Sequence, residues 1–174
     1  HLKKNYAPRS VNSIISSLNS FFTYNEWHHL RVKTLKFQRQ IFASSDRELN
    51  KTEYERLLCA AKDKGNEKLY LLMQTICATG IRVSELCCIT AESLKAQKAQ
   101  INLKGKTRIA ILPDKLCKML IKYTKKQKIT SGPVFVSKNG KPLNRSNIWK
   151  MMKSLCESAG VAWAKVFPHN LRHL

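Results

Sequence analysis

The sequence predicts a mainly α-helical protein with a small antiparallel β-sheet, an α+β fold class. Apolar residues recur at a spacing of about 3.6 in several stretches, and Asn, Ser or Asp precedes them as a helix cap would. One stretch instead alternates around a Lys-Gly-Lys turn, which is typical of a β-hairpin. With 174 residues, of which 43% are apolar, the chain can form one core, or one domain plus part of another.

The N-terminal part predicts one helix and a linker. Residues 10–24 are expected to form the helix, with Ser10 as its N-cap, because apolar side chains return to one face. Residues 28–45 are rich in basic side chains and have no clear core face, so we interpret them as a linker. The apolar positions of the helix are Val11, Ile14, Ile15, Leu18, Phe21 and Phe22.

Two helices and a turn are expected next. Asn50 is predicted to open a helix, because Glu53 three residues later completes a capping box. A second helix over 67–79 is expected to end at Gly80, since glycine adopts the left-handed conformation at helix ends. Residues 81–88 are predicted to be a turn or a short helix.

The rest of the sequence predicts the small sheet and three more helices. Residues 100–103 and 108–112 alternate between apolar and polar side chains and would be the two strands of the hairpin. The other expected elements are a helix from an Asp114 cap to 126, a short strand over 133–136, a turn at 139–140, a helix over 144–159 closed by Gly160, and a last helix beginning at Pro168.

The charge of the chain is strongly positive and unevenly distributed. The net charge of +21 arises from 32 basic and 11 acidic residues. Residues 51–94 carry six of each sign, whereas residues 95–153 carry 16 basic residues and one acid, Asp114. Such a block indicates a polyanionic partner, because each Lys or Arg that contacts a phosphate releases condensed counterions. The single acid in this segment argues against a two-metal nuclease, since such an enzyme needs clustered carboxylates.

The sequence predicts neither a membrane span nor an exported protein. The most apolar run, 69–78, is far too short to cross a bilayer. Residues 1–4 are not followed by the apolar region of a signal sequence. We therefore expect a cytoplasmic protein without membrane contact.

Two short motifs contain the side chains with the clearest chemical potential. Arg82 follows a glycine turn in the string Ala-Thr-Gly-Ile-Arg-Val-Ser-Glu-Leu, residues 78–86, where its guanidinium can contact an anion. His169 and Arg172 are three residues apart after Pro168, so a helix would present both on one face. Taken singly, the first motif is typical of a surface salt bridge and the second of a solvated helix start.

Taken together and in this order, the motifs resemble those of the tyrosine recombinases, the phage integrase family. Residues 78–86 resemble the segment around the first catalytic arginine, and His169-x-x-Arg172 resembles the second signature. Between them, Lys-Gly-Lys-Thr-Arg at 104–108 followed by Leu-Pro resembles the family's lysine-bearing hairpin. The resemblance implies a recombinase catalytic domain over 43–174, preceded by part of a helical core DNA-binding domain and linker over 1–42.

The resemblance implies a role for three of these residues. Arg82 and Arg172 would neutralise the non-bridging oxygens of a DNA phosphodiester, a task suited to planar, permanently charged and bidentate groups. His169 would hydrogen-bond a non-bridging oxygen and assist proton transfer.

A lysine and an acid complete the set that the resemblance implies. Lys104 would protonate the leaving 5′-oxygen, because a Lys-Gly pair opens the family's hairpin loop, and Lys106 is the competing candidate. Glu85, three residues after Arg82, would hold the guanidinium or a neighbouring imidazole in place. The alternative for Glu85 is a simple acid near a helix N-terminus.

The resemblance also implies partners and an expected limit of activity. Recombinases of this type act on double-stranded DNA as homotetramers, through a covalent 3′-phosphotyrosyl link, without a metal or other cofactor. The family's nucleophilic tyrosine follows the second arginine, whereas this chain ends at Leu174. We therefore expect a recombinase truncated at both ends, and a fragment that does not cleave DNA by itself.

Two other readings stay open. His169 and His173 have the spacing of a zinc pair on one helix face, although the sequence offers no clear third ligand. A non-catalytic DNA-binding module would explain the charge and the helices, and a decayed recombinase remnant is a narrower form of it. The resemblance covers phage integrases, conjugative-transposon integrases and chromosome-dimer resolvases alike, and it implies no particular target DNA sequence.

Overall fold

The computed structural model describes residues 6–36, 47–103, 105–137 and 139–174. The chain divides into two compact units, His1–Ala43 and Ser44–Leu174. The described residues confirm the expected fold class, since they are mostly helical and carry one antiparallel pair of strands. Among the described residues, no helix combines the length and apolarity that crossing a membrane requires.

The first unit contains helix α1 and an extended segment attached to it. Helix α1, Pro8–Tyr24, begins two residues before the expected cap, with Ala7 as N-cap and no capping side chain. The predicted Ser10 cap is therefore wrong, because proline at the first helical position already fixes φ there.

The part of the predicted linker that the structure describes is ordered against α1. A 3₁₀ turn forms at His28–Leu30. The side chain of Asn19 then exchanges two hydrogen bonds of 2.9 Å with the backbone of Val32, and Asn12 does the same with Leu35. Residues 37–45 of the predicted linker lie outside the described residues.

Helices α2, Lys51–Asp63, and α3, Glu67–Thr79, open the second unit as predicted. Asn50 and Glu53 form the reciprocal capping box, which satisfies two backbone N–H groups that the first turn would leave unpaired. Gly80 ends α3 in the left-handed conformation, with φ of 60°. A 3₁₀ helix, Val83–Cys88, follows.

Helix α4 and the hairpin come next. Helix α4, Ala91–Ala96, was not expected, because six residues are too few to show a helical period. Strands β1, Lys98–Leu103, and β2, Lys106–Ile111, pair antiparallel, with Ile101 opposite Arg108. The predicted hairpin is confirmed, although each strand has slightly different bounds.

Four expectations for the last third of the chain need correction. Asp114 is the first residue of α5, Asp114–Lys126, and Pro113 is its cap. Residues 133–136 form only isolated bridges, because Pro133 and Val136 pair with different partners. The predicted helix 144–159 is split into α6, Arg145–Lys153, and α7, Cys156–Ala159. After Pro168 the chain forms a 3₁₀ turn, Asn170–Arg172, in place of the α-helix expected there.

Helix α3 is the centre of the core. Leu69, Leu72, Met73 and Ile76 are fully buried, and the helix packs against α2, α5, α6 and the Asn170–Arg172 turn. Burying each such side chain contributes about 1.5–3 kcal/mol, so this packing fixes both ends of the site relative to each other. The carboxyl end of α3 leads directly into the Arg82 segment, and the last turn lies against the same helix.

Candidate active site

A glycine turn positions the first predicted arginine. Gly80 stops α3, Ile81 is fully buried beneath the turn, and Arg82 follows in an extended conformation. The buried Ile81 anchors the segment, so the next side chain emerges at the surface. The side chain of Arg82 is 56% exposed and can therefore meet a ligand from solvent.

Glu85 holds Arg82 through two contacts. Its Oε2 accepts the backbone N–H of Arg82 at 2.7 Å, and its Oε1 accepts Nη1 of the same residue at 3.0 Å. The Glu85 side chain is only 1% exposed, so these contacts are shielded from water. Glu85 thus contacts both the backbone and the guanidinium of Arg82.

A third contact to Glu85 comes from the hairpin. Nη2 of Arg108, on β2, lies 2.5 Å from Oε2 of Glu85. Burial by itself would raise the pKa of Glu85, but the hydrogen bonds from Arg82 and Arg108 outweigh it and lower that pKa. The carboxylate is therefore ionised at neutral pH and is shared by two guanidiniums.

Arg172 is anchored to the turn that carries Arg82. Its Nε donates a hydrogen bond of 2.7 Å to the carbonyl of Gly80. Among the described residues, its two terminal nitrogens have no hydrogen-bond partner, so they can bind an oxyanion. The two predicted arginines thus belong to one cluster.

His169 lies at the surface of the same cluster. Its Nε2 is 3.1 Å from Nε2 of His173, with the rings nearly perpendicular at 85°. Such a contact needs one N–H and one bare nitrogen, so the two facing nitrogens cannot both carry protons. Partial burial, followed by the charges of His173, Arg172, Arg145 and Arg82, lowers the pKa of His169. The imidazole is therefore neutral at pH 7, so one ring nitrogen can donate a hydrogen bond and the other can accept one.

The hairpin lysines are not placed by the structure. Lys104, the first candidate for the leaving-group acid, lies outside the described residues, and the same holds for the side chain of Lys106.

Within 6–36, 47–103, 105–137 and 139–174, no group of three or more His, Cys, Asp or Glu side chains could hold a metal ion.

Sequence reasoning missed two basic residues of this region. The sequence places Arg108 in the hairpin string but does not indicate its contact with the buried Glu85. Arg145 begins α6, and its charge acts on His169. The basic block 95–153 was the available signal for both, but a run of like charges does not indicate which member lies beside the site.

Comparison with known proteins identifies the family. The phage integrase family matches residues 47–174, so this chain belongs to that family. It is 28% identical over 180 residues to the tyrosine recombinase XerA of Pyrococcus furiosus, covering 98% of this chain and 60% of that protein. It is also 28% identical over 188 residues to the tyrosine recombinase XerD of Listeria innocua, covering 98% of this chain and 62% of that protein.

Solved structures agree on the fold. The crystal structure of a XerA recombinase matches with a TM-score of 0.62 and 27% identity, over 99% of this chain and 61% of that one. The Tn1549 transposon integrase in complex with transposon right end DNA matches with a TM-score of 0.72 and 18% identity, over 98% and 66% of the two chains. The chain spans about 60% of the length of the curated relatives it matches.

Proposed function

We propose that this chain is part of a site-specific DNA recombinase that cleaves and rejoins DNA strands through a 3′-phosphotyrosyl intermediate. The observation that carries the proposal is the convergence of Arg82, Arg172 and His169 on the turn after α3. The relatives XerA and XerD, which match nearly the whole chain, are tyrosine recombinases. The cluster suits the phosphoryl transfer that such a recombinase would carry out.

The two guanidiniums bind the scissile phosphate in this proposal. Charge develops on the non-bridging oxygens as the phosphoryl group is transferred, and donors already in place stabilise it without reorganisation. Glu85 orients Arg82, and the Gly80 carbonyl orients Arg172, so both groups are held before DNA arrives. The free terminal nitrogens then face the oxyanion.

Proton transfer belongs to His169 and a hairpin lysine. The neutral imidazole of His169 donates to a non-bridging oxygen and can accept the proton of an attacking hydroxyl. Lys104 protonates the 5′-oxygen as it leaves, with Lys106 as the alternative. Both lysines border Gly105, whose φ of 75° permits the tight turn of the hairpin.

Residues 1–174 alone are proposed not to cleave DNA. Each tyrosine of the second unit is engaged elsewhere: Tyr123 is 2% exposed in the core, and Tyr70 accepts a hydrogen bond from Gln74. Burial, followed by the neighbouring Cys77, raises the pKa of Tyr54, which makes it a poor nucleophile. None of these three tyrosines is therefore the nucleophile in this proposal.

The partner is double-stranded DNA carrying an attachment or core site. The 16 basic residues of 95–153 provide the charge for phosphate contacts. Strand exchange between two duplexes needs four active sites, so we propose a homotetramer on DNA. We assign the reaction to the cytoplasm, and the proposal covers integration of a mobile element and resolution of chromosome dimers alike.

A nicked suicide duplex tests the proposal on the complete gene product. Cleavage beside the nick releases a short strand and traps a protein–DNA adduct that survives denaturing electrophoresis. Arg82→Ala and Arg172→Ala are expected to lower the rate of adduct formation about 100- to 1000-fold, because each removes a donor to the developing charge. If Lys104→Ala abolishes adduct formation and Lys106→Ala does not, Lys104 is the lysine that protonates the leaving oxygen.

The competing function is a DNA-binding module or decayed recombinase without catalysis. It predicts DNA binding that weakens steeply with salt, and no adduct on any substrate.

Arg56→Gln is a suitable control variant for the adduct experiment, because Arg56 is exposed on α2 in the charge-balanced segment. That variant should form the adduct at the wild-type rate if the recombinase proposal holds.

A further inference from the structure

The proposed mechanism leaves Arg108 without a role, although its contact to Glu85 is the shortest of the three. Arg108 lies on β2, opposite the buried Ile101 of β1, and 23 positions from Glu85 along the chain. Ala110, two residues further along β2, is also buried. Since alternate side chains of a strand share a face, Arg108 projects from the face of the hairpin that packs on the core.

The charge of the cluster depends on Arg108. Glu85 and Arg82 by themselves would form a neutral pair, and a neutral pair attracts a phosphate weakly. With Arg108 sharing Oε2, the three side chains carry one net positive charge around a carboxylate that is 1% exposed. Because little water reaches this carboxylate, its interactions with the two guanidiniums are screened less than those of a fully exposed ion pair.

We propose that Arg108 is a positioning residue that acts through Glu85 on Arg82 and docks the β1–β2 hairpin against the Arg82 segment. This inference rests on the proposed recombinase function. Arg108 occupies one oxygen of Glu85. Within the described part of the chain, Arg82 then makes one side-chain contact, through Nη1, and its Nη2 is open to the phosphate. The same contact ties β2 to the 3₁₀ helix that carries Glu85, Val83–Cys88.

Loss of Arg108 has a defined consequence. Both oxygens of Glu85 then turn to Arg82, the cluster becomes neutral, and the hairpin keeps only the packing of β1 against Val83–Cys88 as a link to this segment among the described contacts. The chemical step should slow, whereas the affinity for DNA, which depends on many phosphate contacts, should change little. A direct contact of Arg108 with DNA would give the opposite pattern.

The test compares single-turnover adduct formation on the nicked duplex for the wild type and four variants of the complete protein. Arg108→Gln removes the charge, Arg108→Met keeps the stem, Arg108→Lys restores a cation, and Arg56→Gln removes an exposed arginine from α2, outside the basic block 95–153. The rate at saturating protein and the dissociation constant are measured separately. Circular dichroism and thermal unfolding verify the fold, and Arg108→Met replaces Arg108→Gln if the latter unfolds.

Arg108→Gln is expected to lower the saturated rate about 10- to 100-fold, the usual cost of removing a group that orients a site residue. Arg108→Lys should recover part of this loss, and Arg56→Gln should react at the wild-type rate. In a double-mutant cycle, adding Arg108→Gln to Glu85→Gln should change the rate by less than about twofold, because the effect passes through Glu85.

Three results would overturn the inference. The first is a wild-type rate for folded Arg108→Gln. The second is an undiminished effect of Arg108→Gln when Glu85 is already Gln. The third is a loss of DNA affinity without a loss of rate, together with a slope of log affinity against log salt that is reduced by about one. That pattern belongs to a direct phosphate contact. A wild-type protein that forms no adduct contradicts the proposed function itself, and the inference fails with it.

Discussion

Nε of Arg172 donates a hydrogen bond of 2.7 Å to the carbonyl of Gly80, a residue 92 positions earlier in the chain. The bond joins the last turn of the chain to the end of α3, so the two arginine motifs share one anchoring point. Gly80 can offer its carbonyl here because its φ of 60° turns the backbone out of the helix. The relationship links a backbone conformation to the placement of a side chain that we propose binds phosphate.

Replacing Gly80 should therefore damage both stability and the site. Gly80→Ala is expected to lower the free energy of unfolding by about 1–2 kcal/mol, because an L-residue is strained at this φ. An added Cβ would meet nothing within 4 Å, so the cost comes from the backbone and not from a clash. Urea unfolding of residues 1–174 measures the loss.

A second glycine provides the control for this prediction. Gly132 has a φ of 75° and equally open surroundings, but it contacts Glu92 and not the arginines. Gly132→Ala should cost similar stability and leave adduct formation by the complete protein unchanged, whereas Gly80→Ala should slow it. Equal rates for the two variants would mean that the Gly80 carbonyl does not position Arg172.

Glu85 should make the stability of the second unit depend on pH in the acid range. Because its pKa is lowered in the folded protein, its contribution is fully present above the unfolded-state pKa. That contribution is lost as the pH falls through the lower, folded-state value. Glu85→Gln is expected to destabilise the protein by about 1–3 kcal/mol at pH 7, with a flatter stability profile below pH of about 4.5.

The comparison variant for Glu85 is Glu55→Gln. Glu55 is exposed on α2, and no side-chain hydrogen bond is found for it among the described residues. Its replacement should leave both the stability at pH 7 and the shape of the acid profile unchanged. Thermal unfolding from pH 3 to pH 7 would show the difference, and parallel profiles for Glu85→Gln and the wild type would refute the assignment.

The sequence was sufficient for features set by neighbouring residues. The Asn50–Glu53 capping box, the left-handed stop at Gly80 and the hairpin each depend on a few adjacent side chains, and all three are found. The split of α6 from α7 was not predictable, because the same apolar spacing continues across it. Helix α4 is too short to show a period.

The arrangement of the site was only partly accessible from the sequence. The Arg82–Glu85 contact joins residues three apart, so local spacing could suggest it. The contacts of Arg108 with Glu85 and of Arg172 with Gly80 span 23 and 92 positions, and tertiary packing alone decides them.

The His169–His173 contact should be visible in the titration of His169. The pKa of His169 is lowered first by burial and then by the charge of His173, so His173→Asn should raise it toward its ordinary value. NMR titration of the imidazole Cε1–H resonance in residues 1–174 measures this directly. His29→Asn, in the first unit, is the control and should leave the His169 titration unchanged.

The sign of the stability effect follows from the same lowered pKa. The unfolded chain binds the proton at its ordinary pKa of about 6.5, above the folded-state value, so stability falls as the pH decreases below that point. His173→Asn should weaken this fall between pH 7 and pH 5. A His169 resonance that titrates identically in His173→Asn and the wild type would contradict the proposed coupling.

Arg145 is expected to contribute to DNA binding at the edge of the same cluster. It is exposed at the first position of α6, and its charge acts on His169. Arg145→Gln should weaken binding about equally for all DNA sequences and reduce the slope of log affinity against log salt by about one, because one phosphate contact is lost. Binding by residues 1–174 is measured by fluorescence anisotropy at several salt concentrations. Arg56→Gln, in the charge-balanced segment, is the matched control, and an equal change of slope in both variants would show that Arg145 contributes only general charge.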